Sequence, residues 1–135
     1  MVEMTGIYVG DKHCDLIHGP SGAKLSTDAP KDNNGRGEAF SPTDLMGAAL
    51  ASCILTTIAI VAERDGKDVK GSSFKVTKEM NPNPRKIASL KVELKLPANI
   101  PVDYRNKLEH IAMTCPVHRS IHPDVLMPVS FDWSL

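Results

Sequence analysis

Cysteines at positions 14, 53 and 115 and five histidines are the residues of this 135-residue chain best equipped for chemistry. Cys115 has the clearest setting. In Thr114-Cys115-Pro116-Val117-His118-Arg119 the proline suits a first helical position, which puts Cys115 at the N-cap, where unpaired backbone N–H groups favour a thiolate. His118 and Arg119 either add positive charge nearby or face solvent. Cys53 lies in an Ala-rich apolar run, and on local sequence alone it reads as a small buried hydrophobe. Cys14, between polar residues, reads as structural. A metal site is a second reading of the same residues. Cys115, His118 and His122 are spaced i, i+3 and i+7, which is one face of a helix, and Cys53 could supply a fourth ligand. Pro123 works against helical geometry at His122, and solvent-facing histidines are the plainer alternative.

The element that must position Cys53 is a neutral stretch. Leu45–Ala62 reads LMGAALASCILTTIAIVA, eighteen residues without a charge, or about 27 Å as a helix at roughly 1.5 Å per residue. That length meets the minimum for a membrane span. Against a span stand the many Ala, Ser, Thr and Gly residues, the flanking Asp44 and Glu63-Arg64-Asp65, and the lack of a one-sided Lys/Arg cluster. The run therefore reads as a central helix wrapped by protein on nearly all sides. Ser41-Pro42-Thr43-Asp44 starts it with a serine cap, a proline at the first helical position and an acidic residue three after the cap. Capping is a sufficient role for Asp44. Gly66 offers an exit, since glycine takes the left-handed conformation that ends a helix.

Around this helix the elements must be assembled from short signals. Apolar stretches at 6–9, 14–18 and 23–26, separated by Gly, Asp, Lys and Pro, predict a strand meander. Residues 28–37, DAPKDNNGRG, are turn chemistry throughout and predict an exposed loop. After the helix, 72–80 reads as a strand with Phe74 and Val76 on one face. In 89–96, Leu90, Val92, Leu94 and Leu96 alternate with polar residues, the best strand signal in the chain. Residues 81–84, NPNP, make a loop between the two. Helices follow at 101–113 and 116–121, then a last strand through Val129, Phe131 and Trp133. The sum is an α+β fold in a single domain, residues 1–135, with no repeat or internal boundary.

Composition narrows the function classes. Sixteen Lys+Arg balance sixteen Asp+Glu, so the basic excess expected of a nucleic-acid or anionic-membrane binder is missing. Aromatics are 4% against 41% apolar residues, so the core must be built from Ala, Val, Ile, Leu and Met. The N-terminus lacks a basic segment followed by an apolar one, and an odd cysteine count does not suit a disulfide scaffold. Both point to a reducing, cytoplasmic setting.

Taken together, SPTDLMGAALASCILT and, about sixty residues later, CPVHRS resemble the two cysteine motifs of the OsmC/organic hydroperoxide resistance family. The order of elements is similar over nearly the whole chain, and TDAPKDNNGRGEAFSPTDL is similar to the small OsmC-like branch. The resemblance implies an OsmC-like fold in an intertwined homodimer with buried central helices, further antiparallel strands, and active sites at the subunit interface. It also implies that Cys53 is the peroxidatic thiolate attacking the O–O bond of an organic hydroperoxide. Cys115 is then the resolving thiol that condenses with the sulfenic acid, and an external dithiol reduces the resulting disulfide. No metal, haem or flavin is required.

The family pairs its attacking cysteine with an arginine, and that arginine with a glutamate ten residues before the cysteine, where this chain has Thr43. None of its five arginines falls in the N-terminal strands. Arg36 in the loop is the best placed, with Glu38 as a conceivable partner, and His118 or Arg119 could substitute. The expectation is a thiol-dependent peroxidase. The alternative is a non-enzymatic OsmC-like redox sensor or small-molecule binder that keeps the cysteines but lacks the activating pair.

Overall fold

The computed structural model describes residues 1–135 and divides them into two compact units, Met1–Met46 and Gly47–Leu135. The first holds the predicted meander: β1 (Met4–Gly10), β2 (His13–His18) and β3 (Lys24–Asp28), antiparallel in the order β1-β2-β3. Asp11 and Lys12 both take positive φ, 53° and 57°, the requirement of a tight hairpin turn whose twist matches its strands. Within this unit most of the sheet is exposed. Met4, Ile7, Tyr8, Val9, Ile17 and Leu25 all show large apolar surface to solvent.

Asp28 departs from the sequence reading. The turn-rich run predicted an exposed loop from that residue, yet Asp28 ends β3 and is 1% exposed. The loop proper runs from Ala29 to Phe40 and contains a short 3-10 turn at Lys31–Asn33. Its two ends meet at Asp28, whose backbone N–H donates to the Phe40 carbonyl (3.2 Å).

Helix α1 spans Pro42–Arg64. Its start is a capping box: the Asp44 N–H donates to Ser41 Oγ (3.0 Å) and the Ser41 N–H to the Asp44 carboxylate (2.9 Å). Gly66, at φ 72°, supplies the left-handed residue just past its end. Gly47, Leu50, Ala51, Ile54, Ile58 and Ala62 form its buried face, at the i, i+3, i+4, i+7 spacing that lines one side of a helix. Burial on nearly all sides is not what the single chain provides. Ile60 is 59% and Met46 40% exposed, because one sheet can cover only one face of a helix.

The covering sheet is β4 (Ser73–Pro82), β5 (Arg85–Lys95) and β6 (Val129–Asp132), in that order. β4 and β5 pair antiparallel, placing Val76 opposite Val92 and Phe74 opposite Leu94. β6 pairs parallel to β5, so the expectation of antiparallel strands throughout is corrected here. The reason lies in the connection. Helices α2 (Val102–Ala112) and α3 (Pro116–Ser120) fill the crossover between β5 and β6, and a crossover of that length returns a strand in the same direction. Leu90, Val92, Leu94 and Leu96 meet the α1 face and Leu108 and Ala112 in one core. Each fully buried Leu or Ile there contributes about 1.5–3 kcal/mol.

Outside that core, Asp65 accepts from the Tyr104 hydroxyl (2.7 Å) and from Lys107 Nζ (2.6 Å), tying the end of α1 to α2. Burial and the Asp65 contact push the Tyr104 hydroxyl up to about 12. Trp133, the only tryptophan, donates to Glu109 and stacks with Arg105.

Gly47 is the tight point of the helix and sheet packing. A Cβ there would lie 3.3 Å from Leu90 Cδ2 and 3.4 Å from Val76 Cγ2. Gly47→Ile should therefore lower stability by about 1–3 kcal/mol through overpacking, read as a lower urea midpoint with Trp133 fluorescence as the probe.

Candidate functional site

Cys53 sits on α1 between the buried Leu50–Ile54 face and the exposed Ser52 and Thr56, which makes it half-buried. Its burial follows from helical spacing: three residues after Leu50 it falls at the rim of the packed face rather than in its middle. Cys115 reaches the same place from the other end of the chain. It is the N-cap of α3, with Pro116 at the first helical position, and its sulfur accepts the His118 N–H (3.2 Å). Cys115 is fully buried. It neighbours Cys53, which packs against the same core cluster, and neither cysteine is in a disulfide.

The predicted capping geometry is present, but its predicted electrostatic consequence is reversed. Burial pushes the Cys115 thiol up, and the neighbouring Cys53 pushes it further, against the lowering effect of the His118 and Val117 N–H groups. A five-residue helix has too few aligned dipoles to offset complete desolvation. Cys115 is thus held in its thiol form.

The helical face assumed by the metal reading does not form. α3 closes at Ser120, two residues short of His122, which is exposed and accepts the Asp124 N–H. No group of three His, Cys, Asp or Glu side chains is arranged to hold a metal ion.

Arg36 and Glu38 lie in the loop of the N-terminal unit. Arg36 donates from Nε and Nη2 to Asp28 Oδ1, each at 3.4 Å. Its carboxylate partner is therefore Asp28, whereas Glu38 contributes its backbone N–H to Asp28 Oδ2 (3.2 Å). His13 completes the group. Nδ1 lies 2.6 Å from Asp28 Oδ1 and Nε2 lies 3.0 Å from Asp15 Oδ1, which also accepts from Ser26 Oγ (2.7 Å). The hydrogen bond with Asp28 holds His13 above its ordinary value. Ser26 chiefly, then His13, lowers Asp15; His13 chiefly, then Arg36, lowers Asp28. Sequence reasoning missed His13 and Asp28. Their only signal is the strand register, which places them directly opposite each other on β2 and β3.

With one thiol on a long helix that follows a three-stranded meander and a second at the cap of α3, comparison with known proteins is decisive. A family model described as OsmC-like protein matches residues 35–128. The chain belongs to the OsmC-like family. Over 97% of its length it is 39% identical to a Psychrobacter arcticus crystal structure described as an osmotic stress induced and detoxification response protein. The match covers 96% of that chain at a TM-score of 0.92. More distant OsmC-like structures share the fold. One is an OsmC like protein from Mycoplasma pneumoniae (16% identity, 100% and 98% coverage, TM-score 0.81). Another is an organic hydroperoxide resistance protein from Legionella pneumophila (19% identity, 98% and 96% coverage, TM-score 0.75). No curated protein sequence matches the chain.

The His13–Asp28 group gives this OsmC-like protein a pH signature. Its carboxylates stabilise the native state above the ordinary value of 3.8 and lose that contribution as pH falls through their lowered values. His13 contributes below 6.5 and loses its contribution as pH rises through its raised value. An NMR titration of His13 should show a midpoint above 6.5, falling toward 6.5 in Asp28→Asn.

Proposed function

We propose that this protein is a cofactor-free thiol peroxidase that reduces organic hydroperoxides to alcohols through Cys53 and Cys115. The observation that carries the reading is the approach of these two cysteines, distant in sequence, one at the rim of α1 and the other buried in the core against which the first packs. The Cys53 thiolate attacks the terminal peroxide oxygen, the O–O bond breaks, and the alkoxide leaves as the alcohol after taking a proton. Cys53 is left as a sulfenic acid. The Cys115 sulfur then attacks the Cys53 sulfur, forming the disulfide and releasing water. An external dithiol restores both thiols by exchange.

The short reach from Cys115 favours the disulfide over further oxidation of Cys53. An apolar pocket built from the central helices of the proposed dimer favours an organic over an inorganic peroxide. Arg36 is assigned as the positive group that sustains the thiolate. The working form in this proposal is a cytoplasmic homodimer in which both units act as one OsmC-like domain. The exposed Met46 and Ile60 on α1 and the uncovered meander support the dimer, since both leave apolar surface that a second copy would bury.

A redox sensor is the second reading. Its support is that Arg36 has a carboxylate, Asp28, as its partner within the N-terminal unit, while the family's glutamate position is Thr43.

One equivalent of an organic hydroperoxide added to the reduced protein should give, by mass spectrometry, loss of two hydrogens and a Cys53–Cys115 crosslink. Cys53→Ser should abolish peroxide consumption; unmodified thiols in the wild type would reject the reading. Sedimentation should return about twice the 14.7 kDa chain mass, and a monomer would remove the dimer from the proposal.

A further inference from the structure

His13 and Arg36 compete for one atom. Both donate to Asp28 Oδ1, His13 at 2.6 Å and Arg36 at 3.4 Å, while Oδ2 takes the Glu38 N–H. Both ring nitrogens of His13 meet carboxylate oxygens. A neutral imidazole has a single N–H, so this geometry fits the imidazolium form. The charged and titratable groups around the pair are His13 and Asp15 from β2, Asp28 from β3, and Arg36 from the loop, with Ser26 Oγ on Asp15. Two cations thus meet two carboxylates. Arg36 receives the longer contacts, its side chain is 42% exposed, and its Nη1 has no partner.

We propose that Asp28 is the positioning residue of Arg36, and that His13, by taking the nearer share of the same oxygen, keeps the guanidinium held but not spent. This rests on the assignment of Arg36 as the positive group for the Cys53 thiolate. Asp28 also closes the loop, its backbone N–H donating to the Phe40 carbonyl and its Oδ2 accepting from the Glu38 N–H, so one buried residue fixes both the path of the loop and the direction of its arginine. With His13 nearer to Oδ1, Arg36 meets Asp28 through two long contacts to one oxygen rather than through a short bidentate pair.

The test measures cumene hydroperoxide consumption with dithiothreitol as reductant, as a function of pH, in the full-length wild type, Arg36→Gln, Asp28→Asn, His13→Gln and the Asp28→Asn/Arg36→Gln double variant. Arg36→Gln should slow the neutral-pH rate roughly tenfold, the change expected for one pKa unit in the thiol. Asp28→Asn should slow it several-fold and move the acid limb of the profile to higher pH. The double variant should be no slower than Arg36→Gln, since coupled residues do not add. An Asp28→Asn rate at or above wild type, or effects that multiply in the double variant, overturns the inference. A wild-type rate in Arg36→Gln defeats the assignment of Arg36 itself, and this inference with it, while the disulfide test of the cysteine pair stands apart. If circular dichroism shows Asp28→Asn unfolded, His13→Gln decides. A several-fold loss supports the inference, and an unchanged rate beside a slow Arg36→Gln overturns it.

Discussion

How closely α1 can approach its sheet is the constraint on which the C-terminal unit depends, and Gly47 sets it. With Leu90 and Val76 within about van der Waals range of where a Cβ would stand, the helix lies as deep as its backbone allows. Every residue of its buried face then takes its depth from that contact. Leu50, Ile54 and Ile58 enter the core, and Cys53 stops at the rim. A shallower helix would expose the Cys53 sulfur and break its alignment with Cys115. A rotation of one position, about 100°, would carry it out of reach of Cys115 altogether.

Charge in this protein works locally. The zero net charge fixes no long-range field, yet the carboxylates that matter are each surrounded by donors. Asp28 gathers an imidazole, a guanidinium and an amide, and Asp65 gathers a phenol and an ammonium. In both places an acidic residue at the end of a regular element, the last of β3 or the first after α1, closes the following segment. A buried carboxylate with several donors is stable where an isolated one would be costly.

Legibility in the sequence followed the range of the physics involved. The capping box at Ser41 and Asp44, the glycine exit at Gly66, the alternation of β5 and the cap at Cys115 are all local, and each was readable from a few neighbouring residues. What escaped depends on distant partners. Asp28 sits in a run of turn residues, and only its pairing across from His13 shows that it belongs to a strand and is buried. The direction of β6 depends on two intervening helices. The ionisation of Cys115 turns on burial by segments far away in the chain, which outweighs the short helix that local reading credited. The cysteine motifs were visible from their spacing and family resemblance, whereas the partner of Arg36 required the fold.

The Cys115 sulfur has two occupations. It faces Cys53, and it also accepts the backbone N–H of His118 at the start of α3. A sulfur tied into a helix cap cannot swing freely about its χ1 bond, so the cap fixes its orientation beside Cys53. The same tie separates two substitutions often treated as equivalents. Serine at position 115 retains an oxygen able to take over the cap while ending the sulfur chemistry, whereas alanine removes both and leaves the amide of His118 without its acceptor.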